Sequence, residues 1–307
     1  MSTATSPGAR LAAAAEVNDR IHGPGTDPWP ERRTAFPGGV VGLPDLTYAV
    51  LPGYRPLKLD LYLPPETAAR EGTGHPLVVY VHGGGWAGGS PRLSAAFASW
   101  PAVLAALAAE GVAVAALSYR FGEEAPFPAA LDDLRTALAW LRREAQHFGI
   151  DAARIGLWGA SAGGQIAAMA ALTAAPEDDI QAVALWYGVF DFTGFRRPAP
   201  GSRELAYLGG GTVPATGDTL RAASPLFQVR ALAAPFLLIH GEADQAVPVS
   251  QSVDFARALE DAGNIAELVT LPGIDHSFLG ADPATTRETS RRMLARTVDF
   301  LLGTLGR

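Results

Sequence analysis

The sequence predicts an α/β fold, a mostly parallel sheet with helices packed on its faces. Three observations predict it. Short β-rich apolar runs alternate with longer helical stretches along most of the chain. The runs are apolar throughout, as strands buried on both faces must be. One of them, RIGLW at 154–158, passes through a turn of small residues directly into an apolar helix.

Residues 1–45 combine an Ala-rich helical stretch with the Pro/Gly-rich run GPGTDPWPERRTAFPGG, too broken for a regular core element. This segment is expected to pack on the core or cap its entrance. At 56–64, PLKLDLYLP alternates apolar and polar residues with period two, which predicts an antiparallel edge strand with one solvated face. The apolar strands then follow: LVVYV (77–81), VAVAAL (112–117), RIGLW (154–158), AVALWYG (182–188), FLLIH (236–240) and AELVTL (266–271). Helices are expected near 94–110, 129–148, 162–174, 250–262 and 284–304, and Pro128 suits a helix start because a first turn needs no N–H there. The stretch 191–229 breaks the alternation, is longer than an ordinary connection, and is the expected lid. The domain organisation is therefore a segment 1–45 and one catalytic domain, 46–307, with a lid inserted at about 191–229.

Composition narrows the function. The 307 residues are 48% hydrophobic, enough for one large core, and the net charge of -7 leaves no broad basic face for nucleic acid. The chain has no cysteine, which removes disulfides, thiolate nucleophiles and sulfur-bound metals. No apolar run is long enough to span a membrane, and the N-terminus lacks the basic start and apolar stretch of a secretory signal. The chain reads as soluble and cytoplasmic, with no signal for its oligomeric state.

The chemistry is carried by four motifs. In RIGLWGASAGGQIAAMAAL, Gly159 and Gly163 flank Ser161 at a strand-to-helix turn. Such a turn lifts a serine hydroxyl to the N-terminus of a helix, whose free N–H groups favour negative charge. A turn of small residues also arises without chemistry in an Ala-rich chain, so the other motifs matter. VVYVHGGGWAGGS ends a strand in His82 and three glycines, a backbone able to turn several N–H groups toward one point. Gly83 and Gly84, with Ala162 just after the serine, are the candidate oxyanion hole. No GKS or GKT follows the glycines, which weakens a phosphate-binding reading.

A serine hydroxyl needs a base, and the base needs an orienting carboxylate. FLLIHGEADQAVP places Asp244 in one strand-end loop and LPGIDHSF places His276 in the next. Asp244 is preferred over Glu242 and Asp275 for its reach along the loop, and His276 over the other histidines for its place after the last strand. No HExxH or comparable ligand spacing suggests a metal. Trp86, Tyr187, Phe192 and Phe195 fall near strand ends and are candidate pocket walls.

Together HGGGW, GASAGG, HGEADQAVP and DHSF resemble the α/β-hydrolase esterases of the hormone-sensitive-lipase-like and bacterial feruloyl-esterase-like groups, over about residues 45–305. The resemblance implies an eight-stranded sheet, two-step ester hydrolysis through an acyl-enzyme on Ser161, and no cofactor. Ala160 stands where many relatives carry a carboxylate, and the acid loop resembles the feruloyl-esterase and kynurenine-formamidase-like branch. Small aryl or short-chain acyl esters are the expected substrates. An amidase, a formamidase or an acyltransferase would use the same triad, and a non-catalytic receptor could keep the same pocket.

Overall fold

The computed structural model describes residues 31–65, 74–94, 97–176, 180–195, 201–209, 215–232 and 234–306. Their strands are β1 (Thr34–Ala35), β2 (Val41–Ala49), β3 (Leu57–Leu63), β4 (His75–Val81), β5 (Ala113–Leu117), β6 (Ile150–Ala160), β7 (Ala182–Trp186), β8 (Phe236–Gly241) and β9 (Ala266–Leu271). They form one sheet in the order β1-β2-β3-β5-β4-β6-β7-β8-β9. The six strands from β4 to β9 pair in parallel, and β1, β2 and β3 extend the β5 side antiparallel. Strand order reverses at β4, which has β5 on one side and β6 on the other. In such sheets the cleft forms beyond the carboxyl ends of the strands at that reversal.

The helices are α1 (Trp100–Ala109), α2 (Ala129–Arg143), α3 (Ala145–Phe148), α4 (Ala162–Leu172), α5 (Arg203–Tyr207), α6 (Gly217–Ala223), α7 (Ser250–Asp261) and α8 (Pro283–Leu305). Strand periodicity divides the core between the two faces. Leu77, Val79 and Val81 of β4 enter one cluster with residues of α2, α4 and α7, while Val78 and Tyr80 enter the other with residues of α1 and α8. Both faces are covered, so the central strands are apolar without alternation. All eleven residues of α4 are buried, which accounts for its lack of charge.

Three sequence expectations change. Residues 41–49, where no strand is expected and the N-terminal segment is set to end at 45, form the nine-residue strand β2. Pro44 and Asp45 disguise it, because they sit in a bulge where the register with β3 shifts and Asp45 adopts φ 61°. A boundary at residue 45 would cut this strand. Consequently β3 is not an edge strand: it lies between β2 and β5. Its Asp60 is 4% exposed rather than solvated, accepting from Arg92 Nη2 at 2.7 Å and from the Asp45 N–H at 2.9 Å, and so ties the bulge down. The sheet has nine strands among the described residues, not eight, the addition being the two-residue β1. Of the N-terminal segment, residues 1–30 lie outside the described residues.

Candidate active site

Ser161 sits at the junction of β6 and α4 with φ 53° and ψ −120°. This is a region that L-residues occupy only when the surroundings impose it, at about 1–3 kcal/mol. The imposition is visible. Ser161 N–H donates to the Trp186 carbonyl at 2.8 Å, and its own carbonyl accepts from Gly164 N–H at 2.9 Å. Glycine is required on both sides, since a Cβ on Gly159 would run into the Gly163 carbonyl and one on Gly163 into the Val81 carbonyl. The helix therefore starts hard against β4 and β6.

Two loops on the β8–β9 side bring the remaining groups. His276 Nε2 lies 3.0 Å from Ser161 Oγ, and His276 Nδ1 lies 2.6 Å from Asp244 Oδ2. An ionised carboxylate only accepts, so Nδ1 carries the proton and Nε2 is left to accept from the serine hydroxyl. Asp244 Oδ1 accepts from the N–H groups of Ala246 at 2.8 Å and Val247 at 2.7 Å. Burial by itself would push the Asp244 carboxyl up, but the neighbouring His240 and His276 imidazoles and the Val247 N–H outweigh it and hold the group well below the usual carboxylate range.

The two rival carboxylates have other partners. Asp275 Oδ1 accepts from His276 N–H at 2.6 Å and Gln245 N–H at 2.7 Å, stapling the two loops together. Glu242 accepts from the Thr270 hydroxyl at 2.8 Å. His240 escapes the sequence pattern as a functional residue, because a strand-end histidine beside glycine carries no mark of its contacts. Its Nε2–H donates to the Val247 carbonyl at 2.9 Å and stands 3.2 Å from Asp244 Oδ2, while Nδ1 accepts from Ser252 Oγ at 2.7 Å. The acid turn 244–247 is gripped from below.

The glycine loop leaves β4 toward the same point. Gly83 backs onto the nucleophile, and a Cβ there would come within 2.9 Å of the Ala160 carbonyl and 3.1 Å of Ser161 Cβ. Beneath it the buried His82 donates from Nδ1 to the Gly83 carbonyl at 2.7 Å and stacks on Tyr119 with ring centroids 4.5 Å apart. Burial pushes the His82 imidazole down to about 4, so it is neutral at pH 7. Trp86 fastens the far end of the loop through its indole N–H to Gln165 Oε1 at 3.0 Å. The same oxygen accepts from Tyr207 Oη at 3.0 Å, and Gln165 Nε2 donates to the Ala223 carbonyl at 2.8 Å. Ala162 is the first residue of α4, where an N–H has no partner within the helix.

These groups open on a cleft of about 640 Å³ whose lining includes Gly83, Gly84, Ser161 and His276. Trp86, Tyr187 and Phe195 also line it. Phe192 does not: it is 1% exposed and packs behind Trp86 at a ring-centroid distance of 5.3 Å, so of the aromatic wall candidates it alone stands back from the cleft. Ala160 lines the cleft and belongs to the buried cluster of Trp158 and Trp186. Among the described residues no group of three or more His, Cys, Asp or Glu side chains could hold a metal ion. No helix among them is long and apolar enough to cross a membrane. From the expected lid, α5 supplies Arg203 and Glu204 to the lining, while residues 196–200 and 210–214 lie outside the described residues.

Known proteins share this arrangement of chain and fold. The BD-FAE family model matches residues 59–259. Esterase LipQ of Mycobacterium tuberculosis is 30% identical over 295 residues, which cover 91% of this chain and 65% of LipQ. The ethyl acetate hydrolase of Pseudomonas putida is 32% identical over 251 residues, 76% of this chain and 75% of that protein. Among solved structures, the esterase Est2 of Thermogutta terrifontis with propionate bound matches with a TM-score of 0.67 at 27% identity, covering 87% of this chain and 94% of that one. The chain thus spans less than two thirds of the length of LipQ.

Proposed function

The chain belongs to the BD-FAE family of the α/β-hydrolase fold, and on that premise we propose that it is a carboxylesterase acting through an acyl-enzyme on Ser161. The carrying observation is the relay from Ser161 Oγ to His276 Nε2 at 3.0 Å and from His276 Nδ1 to Asp244 Oδ2 at 2.6 Å. His276 takes the hydroxyl proton as Ser161 attacks the ester carbonyl, and the buried Asp244 carboxylate stabilises the imidazolium that forms. The negative charge passes to the carbonyl oxygen, which the N–H groups of Gly83, Gly84 and Ala162 receive. The His276 proton then leaves with the alcohol. Water, deprotonated at the same Nε2, releases the acid and restores the serine.

The cleft supports a reading of substrate size. At about 640 Å³, with Trp86, Tyr187 and Phe195 on its walls, it suits small aryl or short-chain acyl esters. The names of two relatives, an ethyl acetate hydrolase and an esterase holding propionate, agree with short acyl groups. Of the expected lid, Phe195 and the α5 residues Arg203 and Glu204 form part of the cleft wall.

The test is turnover of 4-nitrophenyl acetate together with labelling by a fluorophosphonate. Ser161→Ala should abolish both while the protein stays folded by circular dichroism. Full turnover in that variant would end the reading.

A further inference from the structure

The cleft holds a charge that ester hydrolysis does not require. Among the described residues lining it, Arg203 is the one lysine or arginine. Its guanidinium lies directly over the glycine loop. A Cβ built on Gly85 would come within 2.6 Å of Arg203 Cδ, 2.8 Å of Nη1 and 3.1 Å of Nε, so the bare backbone of Gly85 is the seat on which the side chain rests. Gly85 follows directly on Gly83 and Gly84, which places a cation on the same loop as the candidate oxyanion donors.

The side chain does not reach this place by drifting over the surface. It belongs to α5, a five-residue helix that the core holds from behind. Leu205 is 1% exposed, and Tyr207 donates to Gln165, stacks on Trp86 at a centroid distance of 4.9 Å, and accepts at its carbonyl from Phe127 N–H. Trp86 itself is the residue after Gly85. Loop and helix are therefore one unit, and the guanidinium is carried at its edge.

The partner of Arg203 among the described residues is a weak one. Glu204 Oε1 stands 3.7 Å from its Nε, near the limit of an ion pair, and the Arg203 side chain remains 56% exposed against 11% for Glu204. A guanidinium presents five N–H donors in a planar fork suited to two carboxylate oxygens, and one distant contact at Nε leaves the outer edge of the fork directed at solvent and cleft. The protein as a whole carries -7, which repels anions from most of its surface. The one cation lining the catalytic cleft among the described residues is then the feature that would select one class of substrate.

We propose that Arg203 forms an anion subsite, and that the esters this cleft prefers carry a carboxylate, on either the acyl or the alcohol side, that pairs with its guanidinium. This assignment rests on the hydrolase reading above and refines it. The carboxylate anchors the ester by its far end, so the interaction acts at the distance between the guanidinium and Ser161 and not on the bond being broken.

Two matched substrate pairs test it. 4-Acetoxybenzoate against 4-acetoxybenzamide puts the charge on the alcohol side, and monophenyl adipate against phenyl hexanoate puts it on the acyl side. The quantity read is the ratio of kcat/KM within each pair. Arg203→Gln is expected to lower that ratio about tenfold in at least one pair, the pair affected showing which side meets the cation, and Arg203→Lys to restore part of it. Raising salt should lower the wild-type ratio and leave the Arg203→Gln ratio flat. Ratios unchanged in both pairs, or a loss shared equally by charged and uncharged esters, would overturn the assignment while leaving the hydrolase reading intact. Absence of turnover of any of the four esters by the wild type would instead strike the hydrolase reading itself.

Discussion

A methyl group at residue 83 should separate catalysis from folding. The Cβ of Gly83→Ala would sit 2.9 Å from the Ala160 carbonyl oxygen and 3.1 Å from Ser161 Cβ, and Gly83 does not have the positive φ that would itself forbid alanine. Neither neighbour can give way. Ala160 ends a central strand paired on both sides, and Ser161 is held in its strained conformation by the Trp186 carbonyl. The loop must move instead, by about 0.5 Å to regain an ordinary van der Waals distance, and that is the scale on which an oxyanion donor loses its alignment. Loss of one such donor lowers kcat roughly a hundredfold, equivalent to about 2.7 kcal/mol in the barrier. Steady-state kinetics with 4-nitrophenyl acetate and a thermal melt are the assays. Gly88→Ala is the control, because a Cβ there meets nothing within 4 Å. The reasoning fails if Gly83→Ala keeps kcat within about threefold of wild type and behaves as Gly88→Ala does.

Other substitutions probe the surrounding contacts. Asp244→Asn should cost about 10⁴-fold in kcat with little change in melting temperature, since it presents the wrong hydrogen-bond polarity to His276 Nδ1. His240→Met, which removes the donor to the Val247 carbonyl, should lower kcat about tenfold at constant KM, and His240→Gln should recover most of it by placing an amide N–H near the lost one. Gln165→Leu leaves the Trp86 indole, the Tyr207 hydroxyl and the Ala223 carbonyl without their partner; calorimetry should show a loss of roughly 3 kcal/mol or more. His82 carries a pH signature. Burial holds it at about 4 in the folded protein, below the ordinary imidazole value of 6.5, so the stabilisation it represents is complete above 6.5 and is lost as pH falls through 4. Between pH 7 and pH 4 the wild type should lose about 3 kcal/mol of unfolding free energy more than His82→Asn, measured by guanidinium titration at each pH.

The parallel core was legible because the central stretches of β4 to β8 are buried on both faces, and burial on both faces leaves a simple trace, an apolar run between helices. Ser161, Asp244 and His276 come together for a related reason: each follows the end of a strand, and strand ends in a parallel sheet converge on one side. The failures share a physical cause too. Strand β2 hides behind Pro44 and Asp45, because a bulge inserts turn-forming residues into a strand without ending its pairing. Phe192 was misplaced because position near a strand end does not tell which way a side chain faces, and Trp86 already occupied the cleft wall in front of it. The seat of Arg203 depends on a group far away in sequence. No local pattern encodes that Gly85 leaves room for a side chain more than a hundred residues downstream.

The position of β9 has a consequence for how the protein fails. Ser161 stands at the end of a central strand, whereas His276 hangs from the outermost strand of the opposite edge, which pairs with β8 alone. Five of the six β9 residues are only half-buried, so this edge is the thinner part of the structure. Heat or mild denaturant acting there would withdraw the base from the nucleophile while most of the sheet stayed paired. Esterase activity would then work as a local gauge of the β8–β9 seam, dying away before circular dichroism registers any melting.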